Sequence, residues 1–168
     1  MTAPPQIETI AELLLAELGK LLTVEETLFK RVLPQLLHDV HDDQLKTALA
    51  EHVDQTRGHV GNLQEAFLTL SAVPAGRSAP GLDGLIRERE SAISEVDPAL
   101  RAGFDCATAM GIEHYEISAY EAAIRLSEAL GAEQVGKLLR ANLEQELAAL
   151  EKLGKEADRL AKPTGDKD

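Results

Sequence analysis

Apolar residues recur every three or four positions along most of the chain, which is the period of a helix with one buried face. This pattern predicts long helices over about 8–38, 43–70, 98–130 and 132–161. A shorter helix is predicted over about 82–94. The stretches between them are polar or rich in Gly and Pro, which is typical of connections.

Residues at the ends of these segments support the same boundaries. Thr9 followed by Glu12 is a capping-box pattern at the start of the first helix. Pro34 is expected to kink that helix without ending it, because the apolar pattern continues beyond it. Pro98 suits the first position of the fourth segment, and Gly131 suits its end.

Four long helices and one short one predict an all-α four-helix bundle. The short helix lies in the long connection between the second and fourth segments, which favours a bundle with a crossover connection. We expect one bundle domain over 8–161, with a disordered lead over 1–7 and a disordered tail over 162–168.

Composition agrees with a helical domain and excludes some partners. The 168 residues are enough for one domain with a sizeable core, and aromatic residues, which favour strands, make up only 3%. The net charge of −12 repels phosphate backbones, so no nucleic-acid partner is expected.

Two further features concern the compartment. Cys106 is the single cysteine, so it forms no internal disulfide, and its apolar neighbours indicate a small buried residue. The N-terminal stretch shows no signal-peptide pattern, and the longest apolar stretch is too short and too charged to span a bilayer. We therefore expect a cytoplasmic protein without a membrane partner.

Ionisable residues interrupt the apolar seam of each long helix. Glu25 takes an apolar position in the first helix, and His52 and His59 do so in the second, with Gln55 at the edge. Asp54 lies opposite that seam, at about 100° per residue, and is expected to face water.

The stretch "GIEHYEISAYEAA" carries three more inward polar groups. Glu113 and Glu116 are three residues apart and so share one helix face, and Tyr120 lies on the same seam as Glu113. In the last helix Glu146 interrupts a row of leucines, with Asn142 one turn earlier.

Four inward carboxylates need compensating positive charge, because burying a lone carboxylate costs several kcal/mol. None of the 17 Lys and Arg residues falls clearly on these seams. A pair of metal ions supplies that charge, and carboxylates with imidazoles suit iron or manganese. The ordinary alternative is a hydrogen-bonded polar layer that fixes the register of the helices.

Five stretches carry a resemblance to a known family. "TVEETLFKRVLPQL", "EHVDQTRGHV", "GLIRERE", "IEHYEISAYE" and "LRANLEQE" follow the order seen in the YciF-like bacterial family of the ferritin-like superfamily. The resemblance covers roughly 10–160. It implies a ferritin-like bundle, a dimer, a role in stress responses and a di-metal carboxylate centre related to those of rubrerythrin and bacterioferritin.

The resemblance also implies ligands. The family's inward acids match Glu25, Glu113, Glu116 and Glu146, and its histidine matches His52. Asp54 and Gln55 stand where the family often has Glu, and position 59 alternates there between Gln and His. The chain lacks the Glu-x-x-His pairs common in the superfamily. A loop cysteine common in the family is Ala79 here, so its redox role is absent.

Two functional hypotheses follow, and a third is weaker. In the first, two iron or manganese ions, bridged by Glu113 or Glu146, react with dioxygen or hydrogen peroxide, and Tyr120 binds a ligand or donates an electron. In the second, a non-enzymatic bundle acts through dimerisation or protein binding. Iron storage needs a cage of subunits, whereas the resemblance favours a dimer. Which of His52 and His59 is a ligand stays open.

Overall fold

The computed structural model describes residues 6–162 and contains each predicted helix, with ends within three residues of those expected. The predicted lead and tail fall largely on 1–5 and 163–168, which lie outside the described residues. The helices are α1 (Ile10–Thr27), α2 (Leu33–Asp39), α3 (Asp43–Thr69), α4 (Pro80–Ala92), α5 (Arg101–Ala129) and α6 (Glu133–Leu160).

A π-helical turn, Leu28–Val32, joins α1 to α2 in one continuous rod. In this turn the N–H of Leu33 donates to the carbonyl of Leu28, five residues earlier. Pro34, which has no N–H to donate, follows directly and lies in the first turn of α2. The expectation that Pro34 does not end the helix is confirmed.

Two of the residues predicted to begin or end helices do so in the structure. The Thr9 side chain accepts from the N–H of Glu12, whose carboxylate accepts from the N–H of Thr9. Gly131 ends α5 with a φ of 65°, a conformation that favours glycine. At the start of α5, Pro98–Leu100 forms a 3₁₀ turn, and regular α-helix begins only at Arg101.

The four long helices form a ring in which α1 and α6 each pack against both α3 and α5. This leaves α3 diagonal to α5, and the two run in the same direction. The connection between them therefore has to return along the bundle, and it carries α4. It passes so close to α1 that a Cβ on Gly19 would lie 2.7 Å from the carbonyl oxygen of Ala75. This is an all-α ferritin-like bundle with a short helix in its crossover.

The core consists of two apolar clusters, one towards each end of the bundle. The first cluster includes Val24, Leu28, Leu45, Leu49, Cys106, Ile112 and Leu153. The second cluster includes Leu14, Leu18, Leu63, Phe67, Ala123 and Leu139. Every long helix contributes to both clusters, so the residues midway along each helix form a layer of their own between them. Among residues 6–162, no helix combines the length and apolar character needed to cross a bilayer.

Candidate metal centre

The layer between the two apolar clusters is polar, and all four long helices contribute to it. The six residues that line it are each at most 5% exposed. They are Glu25 from α1, His52 and His59 from α3, Glu113 and Glu116 from α5, and Glu146 from α6. The structure thus confirms the helical phase predicted from the apolar seams, because these six residues lie inside the bundle. Asp54, expected to face water, has a side chain that is 78% exposed.

One group of potential ligand atoms lies between α3, α5 and α6. His52, Glu113, Glu116 and Glu146 each offer one atom, and these four atoms lie within 4.8 Å of one another. The Nε2 atom of His52 is 3.2 Å from Oε1 of Glu113 and 3.7 Å from Oε2 of Glu146.

A second group lies beside the first and shares a residue with it. Glu25, His59 and Glu146 offer three atoms within the same limit of 4.8 Å. The Nδ1 atom of His59 is 3.2 Å from Oε1 of Glu25 and 2.8 Å from Oε1 of Glu146. Glu146 belongs to both groups, so the two groups share one carboxylate. Both histidines belong to a group, so the geometry does not separate them.

Each histidine has a glutamine on its other ring nitrogen. Oε1 of Gln55 is 3.3 Å from Nδ1 of His52, and Oε1 of Gln145 is 2.9 Å from Nε2 of His59. Such contacts fix the orientation of a ligating imidazole. Gln55, a candidate ligand in the sequence, thus lies beside an imidazole, and Gln145 is an equivalent that the sequence reasoning missed. Gln145 is exposed, so nothing in the helical pattern distinguishes it from a surface residue.

A chain of hydrogen bonds holds Tyr120 against the second group. The hydroxyl of Tyr120 donates to Oε1 of Glu25. Nδ2 of Asn142 donates to the hydroxyl oxygen at 3.0 Å, and Nδ2 of Asn62 donates to Oδ1 of Asn142 at 2.7 Å. The position of Tyr120 on the seam agrees with the sequence, whereas the role of Asn62 was not foreseen.

The sequence matches the family described as "Domain of unknown function (DUF892)" over residues 9–164. The chain belongs to this family. The resemblance to the YciF-like proteins is thereby confirmed, because Protein YciF of Escherichia coli K12 is 28% identical over 144 residues, covering 84% of this chain and 86% of YciF.

Solved structures agree on the fold of this DUF892 protein. YcfI of Rhodopseudomonas palustris, described as a candidate structural protein, is 30% identical, with a TM-score of 0.87 over 91% of this chain and 98% of YcfI. The crystal structure of the E. coli stress protein YciF is 28% identical, with a TM-score of 0.85 over 92% of this chain and 98% of that one. A Xanthomonas campestris protein at 19% identity and a TM-score of 0.68, covering 90% and 93%, shares the fold.

Electrostatics in the second group favour an internal ion pair. Burial raises the pKa of Glu25 to about 7, although its hydrogen bond to His59 opposes that shift. Burial alone would lower the pKa of His59, but the hydrogen bonds and charges of Glu146 and Glu25 raise it to about 10. The pKa of Glu146 stays below its ordinary value, because His59 and His52 outweigh the effect of burial. The raised pKa of His59 favours an imidazolium between the carboxylates of Glu25 and Glu146.

Of the other two carboxyl groups, Glu113 lies beside His52, whose pKa is lowered by burial, and Glu116 has no hydrogen-bond partner among residues 6–162. Burial, reinforced by the charges of Glu146 and Glu25, raises the pKa of Glu113 and Glu116 well above its ordinary value. Both carboxyl oxygens of Glu116 and Oε2 of Glu113 are buried and accept no hydrogen bond from residues 6–162. Such orphaned groups are rare in native proteins and costly.

The donor set fits a metal ion. Oxygen and imidazole nitrogen are ligands that iron and manganese accept, and the orphaned oxygens of Glu113 and Glu116 are the atoms that a cation would satisfy. An ion would be held either by His52, Glu113, Glu116 and Glu146 or by Glu25, His59 and Glu146. The buried His/Glu groups of this protein can therefore hold metal.

The most enclosed arginine pair described in the structure lies away from this layer. Nε of Arg89 on α4 donates to Asp105 at 2.8 Å, and its Nη2 donates to Asp39 at 3.2 Å. Asp105 is only 3% exposed and was not foreseen as a buried residue. Arg89 pairs with acids near the first apolar cluster, so its positive charge does not compensate the buried carboxylates of the layer.

Proposed function

We propose that this protein binds two iron or manganese ions in the layer between its apolar clusters and uses them in redox chemistry with dioxygen or hydrogen peroxide. The observation that carries the proposal is the sharing of Glu146 by two groups of buried ligand atoms. Bound in this way, the ions would supply electrons to a small oxidant. Deciding between iron and manganese is a matter of geometry and availability.

The side chains around the centre prepare it for this role. Gln55 and Gln145 orient the two imidazoles, so that Nε2 of His52 and Nδ1 of His59 face the carboxylates. Tyr120 donates a hydrogen bond to Oε1 of Glu25, and Oε2 of the same carboxylate lies 3.3 Å from Nδ1 of His59. The apolar clusters above and below exclude water, which strengthens every electrostatic interaction inside.

A role in stress response and a cytoplasmic location complete the proposal. The support is family membership, since the E. coli relative YciF is described as a stress protein. We further propose a homodimer, because Ile10 and Leu13 on α1 are 48% and 37% exposed and so leave apolar surface outside the core.

Metal analysis of protein purified without a His tag tests the proposal. Glu113→Ala and Glu146→Ala should each lower the iron or manganese content, whereas Asp54→Ala, on the exposed face of α3, should leave it unchanged. Equal loss in all three variants, or no metal in the wild type under iron- and manganese-replete expression, contradicts a buried centre.

A non-enzymatic bundle is the second candidate, and the hydrogen-bonded network favours it. A continuous chain of hydrogen bonds links all four long helices through Glu25, Tyr120, Asn142 and Asn62. Such a chain fixes the register of the helices without metal. The R. palustris relative is described as a candidate structural protein, in keeping with such a role. Metal content distinguishes the two candidates, because a structural layer needs none.

A further inference from the structure

A narrow crevice between α3 and α6 leads from the surface to the first group of ligand atoms. His52 and Glu113 form its inner wall, and Ala48, Glu51 and Lys152 are among the residues nearer the surface. Its volume is about 20 Å³. A space of that size holds about one water molecule.

The inner end of this crevice points to a cation. Oε2 of Glu113 is buried and accepts no hydrogen bond within residues 6–162, and Nε2 of His52 faces the same carboxylate at 3.2 Å. An arriving divalent ion therefore meets an unsatisfied oxygen and an imidazole nitrogen first.

The outer end carries an ion pair between the two helices. Nζ of Lys152 on α6 lies 2.6 Å from Oε2 of Glu51 on α3, and the two side chains are 50% and 54% exposed. In this position the ammonium group opposes the approach of another cation and occupies the carboxylate that would attract one. Exposed pairs of this kind are weak, so the pair opens readily.

We propose that the α3–α6 crevice is the entrance through which a divalent cation reaches the centre, and that the Lys152–Glu51 pair closes its mouth. This inference rests on the proposed metal centre. An entrance changes the barrier between the free and bound states and leaves the states themselves alone. A change in the width of the crevice therefore alters the rates of metal binding and release by the same factor, and the dissociation constant stays constant.

Stopped-flow absorbance with cobalt(II) as the probe tests the entrance. Ala48→Leu adds three carbon atoms to a crevice that has room for about one water molecule. Uptake and chelator-driven release should therefore both slow by at least about tenfold. Ala50→Leu, on the exposed face of the same helix, is the matched control and should keep wild-type rates.

The charge at the mouth provides an independent variant. Lys152→Gln should speed uptake by about two- to fivefold, the factor expected for losing a weak surface pair. Because the charge of Lys152 also acts on His52, the association rate is the readout of this variant. Lys155→Gln is its control, because Lys155 pairs with Glu151 on the same helix at 2.6 Å and does not line the crevice. If Ala48→Leu fails to give a helical circular dichroism spectrum, this pair of variants decides.

The outcomes separate this inference from the proposed function. If the wild type binds no cobalt(II), both fail. If it binds cobalt(II) but Ala48→Leu and Lys152→Gln behave like their controls, the metal centre stands and the entrance is wrong. A changed dissociation constant with unchanged association would likewise overturn the entrance, because these residues would then belong to the bound state.

Discussion

Replacing Glu116 by glutamine isolates the cost of the buried acids, because the side chain keeps its shape and loses only its titration. Glu116 is fully buried, and its oxygens accept no hydrogen bond from the described residues. Its pKa is raised well above the ordinary value, first by burial and then by Glu146, Glu25 and Glu113. In the metal-free wild type, folding therefore favours the protonated form of this carboxyl group.

The sign and size of the effect follow from that shift. A carboxyl group whose pKa is raised on folding stabilises the fold fully below its unfolded pKa, and this contribution is lost as the pH rises through the folded pKa. The loss amounts to at most about 1.4 kcal/mol per pH unit. Between pH 5 and pH 7 the wild type should therefore lose up to about 2.7 kcal/mol relative to Glu116→Gln, a large part of a typical domain stability.

Urea unfolding of chelated protein, followed by circular dichroism at several pH values, measures this difference. The free energy of unfolding of Glu116→Gln minus that of the wild type should rise with pH, whatever constant cost the amide itself introduces. The exposed Glu144→Gln on α6 should show no such rise. A difference that stays constant between pH 5 and pH 8 would refute the reasoning, because Glu116 would then titrate normally.

Three more predictions concern metal, packing and assembly. Iron(II) or manganese(II) at a hundredfold excess over its dissociation constant should stabilise the wild type by about 2.7 kcal/mol and raise its melting temperature, and magnesium, a poor partner for imidazole, should do less. Asp105→Ala leaves Arg89 without its buried partner and should cost about 3 kcal/mol in urea unfolding, whereas Glu121→Ala, which breaks an exposed pair with Arg125, should cost less than about 1 kcal/mol. Light scattering should give the mass of a homodimer.

Each of these has a result that contradicts it. Identical melting curves with chelator and with manganese(II) argue against the centre. Equal losses for Asp105→Ala and Glu121→Ala mean that the Arg89 pair is no more sequestered than a surface pair. A monomer, or a particle the size of a ferritin cage, rules out the dimer.

Helical phase explains why the centre could be located from the sequence. A polar residue that replaces a leucine in a row spaced by three and four has to point towards the core, as the leucine would. The residues that follow this rule are Glu25, His52, His59, Glu113 and Glu146. The crossover was predictable too, since a long connection with its own short helix has to return along the bundle.

Other features depend on contacts between distant segments, which periodicity does not encode. Asn62 and Gln145 lie at the edges of their helices, and their partners come from other elements. In α6 the buried stripe runs through Asn142 and Ala149, whereas Leu143, one of the leucines in the row that Glu146 interrupts, is only partly buried. A leucine at a stripe edge and an alanine at its centre give the same local pattern, so only the packed neighbours separate them.

Anomalous diffraction at the iron and manganese absorption edges, from crystals of untagged protein, tests the central claim most directly. The account predicts two peaks in the layer between the apolar clusters, both beside Glu146, one also beside His52 and Glu113 and the other beside Glu25 and His59. Crystals of Glu146→Gln should lose or weaken both. A layer without peaks, its carboxyl groups bonded only to protein and water in crystals grown with manganese(II) or iron(II), would contradict the account and favour a structural layer.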